Sequence, residues 1–241
     1  MRTARQGFTL LELLIAVSVI GLLAALLLPA LSQAREKARA AVCASNLRQL
    51  SFCVQMYLDD HGRFFPYYTT AGGDRLWYFG LESPYNPGGA PGARHIDLTQ
   101  AKLYPYFRGL HSIEVCPSYD YRSPRWRQKF DQITDGYGLN LALFNQAPNN
   151  IPTGLDRVIC FADAAQVNTF QAPASSANPM LEEFYYVSAN PADRTAHFRH
   201  GGWANALFCD GHVKAVPMYP GSLNPALPDA RVGRLDPSLF W

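Results

Sequence analysis

From Phe8 to Leu31 the chain is apolar almost without interruption, FTLLELLIAVSVIGLLAALLLPAL, and Glu12 is the single charge in those 24 residues. As an α-helix the run would extend about 36 Å at about 1.5 Å per residue, enough to cross a bilayer core. The pattern then changes without stopping. SQAREKARAAVCASNLRQLSFCVQMYLDD contains no Gly or Pro. Val42, Leu47, Leu50, Val54, Tyr57 and Leu58 recur mostly at steps of three and four, with Arg48, Gln49 and Gln55 off the stripe. That is one buried face of an amphipathic helix. Asp59-Asp60-His61-Gly62 supplies the stop, with Gly62 suited to a left-handed cap. The pattern predicts one helix from about residue 8 to about residue 60, loosened or kinked at Pro29.

Beyond residue 62 the pattern is short and broken. Most of the Gly and Pro, 18 of each in the whole chain, fall here and predict a turn-rich body. Arg157 to Ala162, ending at Asp163, reads as a buried strand, and Glu183 to Val187 as a second. Ala204–Cys209 and His212–Val216 flank Asp210-Gly211, a two-residue hairpin signal. In that register Phe208 faces Val213 and Ala206 faces Ala215, making an apolar face to pack on the helix stripe from Leu47 to Leu58. Cys209 and His212, with Leu207 and Lys214, take the other face. The fold class expected is α+β: a long N-terminal helix, membrane-spanning in its first half, packed on a small antiparallel β-sheet with long loops. The divisions read from the sequence are 1–7, 8–31, 32–62 and 63–241, with the hairpin near 200–216.

Charge and composition narrow the function classes. The 241-residue chain carries a net charge of +2, so charge alone argues for neither a nucleic-acid partner nor a polybasic membrane contact. Arg122 to Lys129 is basic around Trp126 and reads as a solvated surface loop. Cys43, Cys53, Cys116, Cys160 and Cys209 show no CxxC spacing, and both buried free thiols and one or two disulfides remain open. His197, His200, Asp210 and His212 lie within sixteen residues and form the candidate metal set. The alternative gives each a structural task. Asp210 bonds its own turn, Gly211 supplies positive φ, and His200 donates to a loop carbonyl. No catalytic residue and no cofactor is expected.

A secretory signal peptide would need a shorter apolar run and a small-residue cleavage site, and neither is present. Arg5-Gln6-Gly7 followed by Phe8-Thr9-Leu10-Leu11-Glu12 and an apolar helix resembles the prepilin leader of type IV pilins and type II secretion pseudopilins. The resemblance implies cutting after Gly7 by a prepilin peptidase and methylation of the new amino terminus at Phe8. It implies that Glu12 neutralises the terminal ammonium of a neighbouring subunit during assembly. His200 and Asp210-Gly211, with nine residues between them, are similar to the His-x9-Asp-Gly signature of a pilin-like family named for that spacing. Asn46-Leu47-Arg48-Gln49-Leu50, Asp60-His61-Gly62 and Cys116-Pro117-Ser118 also look like it.

What the resemblance implies is a structural subunit of a secretion pseudopilus or pilus-like filament. Its partners would be the peptidase, other pilin-like subunits, an inner-membrane assembly platform and membrane lipid, with no nucleic acid. Its place would be the inner membrane, with a cytoplasmic N-terminus and a periplasmic body, and then a filament in the envelope or outside the cell. Flanking charge does not settle that orientation, since Arg2 and Arg5 on one side face Arg35, Lys37 and Arg39 on the other. Two alternatives stand beside it: a membrane-tethered metal-binding hydrolase using the His197/His200/Asp210/His212 set, and a glycan-binding module displayed on a filament.

Overall fold

The computed structural model describes residues 9–107 and 115–241. Gly7 and Phe8, and with them the expected cleavage site, lie outside the described residues. The chain divides into two compact units at Ala38/Arg39.

One helix, α1 (Leu10–His61), runs unbroken through Pro29. It ends as the sequence predicts: Gly62 has φ +69°, and its amide donates to the Leu58 carbonyl at 2.7 Å. Every residue from 9 to 31 is exposed, and α1 alone among the described helices is long and apolar enough to cross a membrane. Within the second unit the same helix buries Cys43, Asn46, Leu47, Leu50, Cys53, Val54, Tyr57 and Leu58. The stripe is the expected one with a correction at its start. Cys43 is fully buried, whereas Val42 is 51% exposed; one residue along a helix is a rotation of about 100°, which moves Val42 off the packed face.

The body continues with β1 (Tyr68–Ala71), β2 (Asp74–Trp77), β3 (Gly80–Glu82) and β4 (Ile96–Asp97), which form a four-stranded antiparallel meander. A single turn of helix, α2 (Tyr104–Phe107), follows. The principal sheet has β5 (Tyr137–Asn140) and β6 (Ile159–Asp163) at its heart. Next come β7 (Gln166–Asn168) and β8 (Met180–Glu182), which pair with each other, and then β9 (Tyr186–Val187). The remaining strands are β10 (Ala196–His197), β11 (Trp203–Phe208), β12 (Val213–Pro217) and β13 (Val232–Gly233). The principal sheet has the order β12-β11-β6-β5-β9, antiparallel except for the β5–β9 pair. The expected strand over 183–187 is corrected: residues 183–185 separate two short strands in different sheets.

β6 is buried along its whole length. Cys160 and Phe161 join the core that contains the α1 stripe, while Ile159 and Ala162 join a second core with Val187, Phe198 and Val216. The sheet is thus covered on both faces, which explains a central strand with no polar alternation.

The hairpin register differs from the expected one. Leu207 pairs with Val213, Ala206 with Lys214 and Asn205 with Ala215. The loop holds three residues, Cys209-Asp210-Gly211. The Gly211 amide donates to the Phe208 carbonyl (2.9 Å), the Phe208 amide donates to the His212 carbonyl (2.9 Å), and Gly211 sits at φ +93°. This is a turn closed by a left-handed glycine bulge, the three-residue alternative to the Asp-Gly turn. Because side chains alternate with period two, the one-residue difference exchanges the faces of β11, while Val213 keeps the face expected of it. Leu207, Cys209 and Val213 lie on the helix side; Ala206 and Phe208 lie on the other.

The body also buries charge. Arg94 grips Glu82 with two bonds of 2.7 Å, and the Trp77 indole donates to the same carboxylate at 3.0 Å. Glu182 receives Arg127 at 2.8 Å and lies 3.3 Å from Lys129. Arg127 and Lys129 are each 3% exposed, so the basic segment 122–129 is not a solvated loop throughout: two of its cations are spent inside. Burial alone would raise Glu82 and Glu182, but these cations hold both below the ordinary carboxylate value.

Asp135 shows the opposite case. It accepts from the Tyr137 amide at 2.7 Å and from the Tyr78 hydroxyl. Burial outweighs both bonds, with the Glu183 charge adding and Arg199 opposing, and its carboxyl is pushed up to about 8. Burial raises Glu183 as well, against hydrogen bonds from Thr134 and the charge of Lys129.

Arg94→Met strands the Glu82 carboxylate and is expected to destabilise the chain by about 3–5 kcal/mol in denaturant unfolding. Combining it with Glu82→Gln should recover most of that loss. For Asp135 the raised value means that its neutral form is favoured by folding. Its contribution is complete below the ordinary carboxylate range and is lost as pH rises through about 8. The melting temperature should therefore fall between pH about 5 and about 9, and the fall should be shallower in Asp135→Asn, which keeps an acceptor for the Tyr137 amide without the charge.

Candidate functional site

The first site is the start of α1. Thr9 occupies the N-cap and Glu12 the third helical position. The Glu12 amide donates to Thr9 Oγ1 at 3.2 Å. The Thr9 amide and hydroxyl both donate to Glu12 Oε2 at 2.9 Å. This is a reciprocal capping box. It supplies a reason within one chain for an acid in an apolar run: the carboxylate satisfies donors that the first helical turn leaves open. Ser18 is similarly self-contained, its hydroxyl donating to the Leu14 and Ile15 carbonyls at 2.9 Å.

The second site lies inside the body, where five segments converge. Cys43 comes from α1, Cys116 from the Cys-Pro-Ser loop, Tyr137 from β5, Asp163 from the end of β6, and Arg199 and His200 from the approach to β11. Asp163 is fully buried. Its Oδ2 accepts the Asn205 amide at 2.7 Å and lies 3.3 Å from His200 Nε2. Its Oδ1 lies 3.1 Å from Arg199 and 3.4 Å from Cys43 Sγ. Cys116 Sγ is 3.5 Å from His200 Nε2, and the Tyr137 hydroxyl is 3.4 Å from Cys43 Sγ. The Arg199 side chain is 3% exposed, donates to the Gly136 carbonyl at 2.5 Å and stacks 4.3 Å over the Tyr119 ring.

These neighbours set the protonation. Burial would lower His200, but Asp163 and Cys116 outweigh it and push the imidazole up to about 10. Burial would raise Cys116, but donation from Cys43, the Arg199 charge and His200 bring it down to about 6. Cys43 is driven well up, by burial first and then by Cys116 and Asp163. His197 is held far below the ordinary value by burial, then by Arg199 and His200, and stays neutral.

The structure does not gather the sequence-derived set His197, His200, Asp210 and His212. His212 Nδ1 pairs with Asp210 at 2.7 Å at the exposed hairpin tip. His200 sits at the other end of β11, and six residues at about 3.3 Å per residue separate the two ends by about 20 Å. Among the described residues, the group that could hold a metal is Cys43, Cys116, Asp163 and His200, with ligand atoms within 4.8 Å of one another. All five cysteines are free thiols.

The nine-residue spacing now has a physical meaning. His200 and Trp203 exchange backbone hydrogen bonds of 3.0 and 3.1 Å around Gly201 and Gly202, at φ +63° and +95°. A two-glycine turn, a six-residue strand and Cys209 then lead to Asp210. The interval measures one strand between two turns, and only its first residue enters the buried cluster. Cys43 and Asp163 escaped the sequence reading. The clue was the stripe itself, since Cys43 stands four residues before Leu47.

Against known families, residues 2–28 match the prokaryotic N-terminal methylation motif. Residues 32–196, more than half of the chain, match a family described as a protein of unknown function (DUF1559). Neither the curated proteins nor the solved structures give a match. The methylation motif and apolar helix agree with the pilin-like reading of the leader and with membrane anchoring.

Gly202→Ala places a side chain at φ +95°, a strained conformation. It should cost about 1–3 kcal/mol, read as a lower denaturant midpoint with unchanged slope.

Proposed function

The chain belongs to the DUF1559 family and carries a prokaryotic N-terminal methylation motif; from that premise we propose that it is a membrane-anchored structural subunit of a pilin-like filament, a secretion pseudopilus or a pilus-like fibre. In this reading a prepilin peptidase cuts after Gly7, Phe8 becomes the methylated terminus, and the apolar half of α1 packs among the helices of other pilin-like subunits. The subunit waits in the inner membrane with its N-terminus cytoplasmic and its body on the far side.

The observation that carries the proposal is the capped Glu12 at the head of a fully exposed apolar helix. A single subunit offers residues 10–31 nothing to pack on, and lipid or neighbouring helices are the surroundings that suit such a surface. Cleavage after Gly7 would place a free ammonium one residue before the Thr9 cap. A second chain's ammonium can then compete for the Glu12 carboxylate. In low dielectric such a pair fixes register more than it adds net stability.

Mass spectrometry of the N-terminus tests the processing step. The expected result is a mature chain starting at methylated Phe8, and Gly7→Ala should accumulate as the uncut form; wild-type protein retaining Met1 in the membrane would refute the reading. Glu12 separates capping from assembly. Glu12→Gln keeps an acceptor for Thr9, so it should be processed and inserted normally yet lose most cross-linking to neighbouring subunits. Glu12→Ala should lose the cap as well. Normal cross-linking in both variants would remove Glu12 from assembly.

A further inference from the structure

We propose that Cys43, Cys116, Asp163 and His200 form a structural binding site for a zinc-class divalent ion, which clasps α1, the Cys-Pro-Ser loop and the principal sheet.

The donor set comes first. Two sulfurs, one imidazole nitrogen and one carboxylate oxygen are the ligand types of a closed tetrahedral zinc site, and paired thiolates disfavour calcium and magnesium. The spacing agrees. An ion at about 2.0 Å from N or O and about 2.3 Å from S has donor–donor edges of about 3.3–3.8 Å. Cys43 Sγ to Asp163 Oδ1 is 3.4 Å and Cys116 Sγ to His200 Nε2 is 3.5 Å, while His200 Nε2 lies 3.3 Å from the other carboxylate oxygen, Oδ2. All four residues are buried.

Outer contacts complete the arrangement. The Tyr137 hydroxyl reaches Cys43 Sγ, and the Asn205 amide donates to Asp163 Oδ2; bonds of this kind orient ligands and tune the ion. Two thiolates and a carboxylate around a divalent ion leave one net negative charge, and the buried Arg199 guanidinium, 3.1 Å from Asp163, balances it. Binding takes both sulfurs as thiolates and the imidazole as its neutral form, and whatever protons they hold pass to solvent. A Cys43–Cys116 disulfide is the competing use of these atoms; it would engage two of the four donors and leave the others as they stand.

The test uses the full-length chain in detergent, purified without chelator, exposed to Zn²⁺ and desalted. Elemental analysis should give about one zinc per chain. Cobalt substitution should produce thiolate-to-cobalt charge transfer in the near ultraviolet and tetrahedral bands in the visible. Cys116→Ser should weaken binding at least about tenfold, while Cys209→Ser, at the hairpin tip, should leave it intact. If the Cys116 variant does not fold, the cobalt spectrum of the wild type decides alone. Less than about a tenth of an ion per chain, a cobalt spectrum without thiolate bands, or a Cys43–Cys116 disulfide in the non-reduced peptide map would overturn the proposal.

Discussion

One buried carboxylate organises the body. Asp163 ends the central strand fully buried, so its lone pairs depend on the groups packed around it. The groups that meet it come from everywhere at once: the amide of Asn205, the guanidinium of Arg199, the imidazole of His200 and the thiol of Cys43. Because an unpaired buried charge costs several kcal/mol, these groups are mutually required. Helix and sheet therefore share one point of agreement that apolar packing alone would not specify, and the Cys-Pro-Ser loop joins it through the Cys116 contact with His200. Asn205 strengthens it by also donating from its side chain to the Ala40 carbonyl at 3.2 Å.

Much of this was legible in the sequence, and the limits have physical causes. The long helix, its glycine stop and the α+β order follow from periodicity, which dominates local structure. The hairpin was legible as a hairpin, but Asp-Gly serves two turn geometries. The choice between them rests on whether glycine forms a bulge, which the dipeptide does not encode. Segment 122–129 was misjudged because two of its cations, Arg127 and Lys129, share one distant acid, Glu182, beyond any local window. The buried cluster was hidden for the same reason: Cys43, Cys116, Asp163 and His200 meet only when four elements have folded.

The two compact units satisfy their polar groups by different rules. Residues 39–241 do so through long-range partners, and its buried acids divide according to whether a cation reaches them: Glu82 and Glu182 are held ionised, Asp135 is not. In residues 9–31 the polar side chains turn to their own helix, as Thr9, Glu12 and Ser18 each do. That is the economy expected of a segment whose surroundings offer no hydrogen bonds.

The Thr9–Glu12 box has a consequence for energetics. An acid already holding two donors does not enter oil as a naked anion, so a solitary chain can dwell there without a chaperoning cation. Under the proposed assembly, a second chain's ammonium would have to displace the two Thr9 bonds before it could hold the carboxylate. The cap would then hold pairing back until a terminus lies close enough to replace both donors.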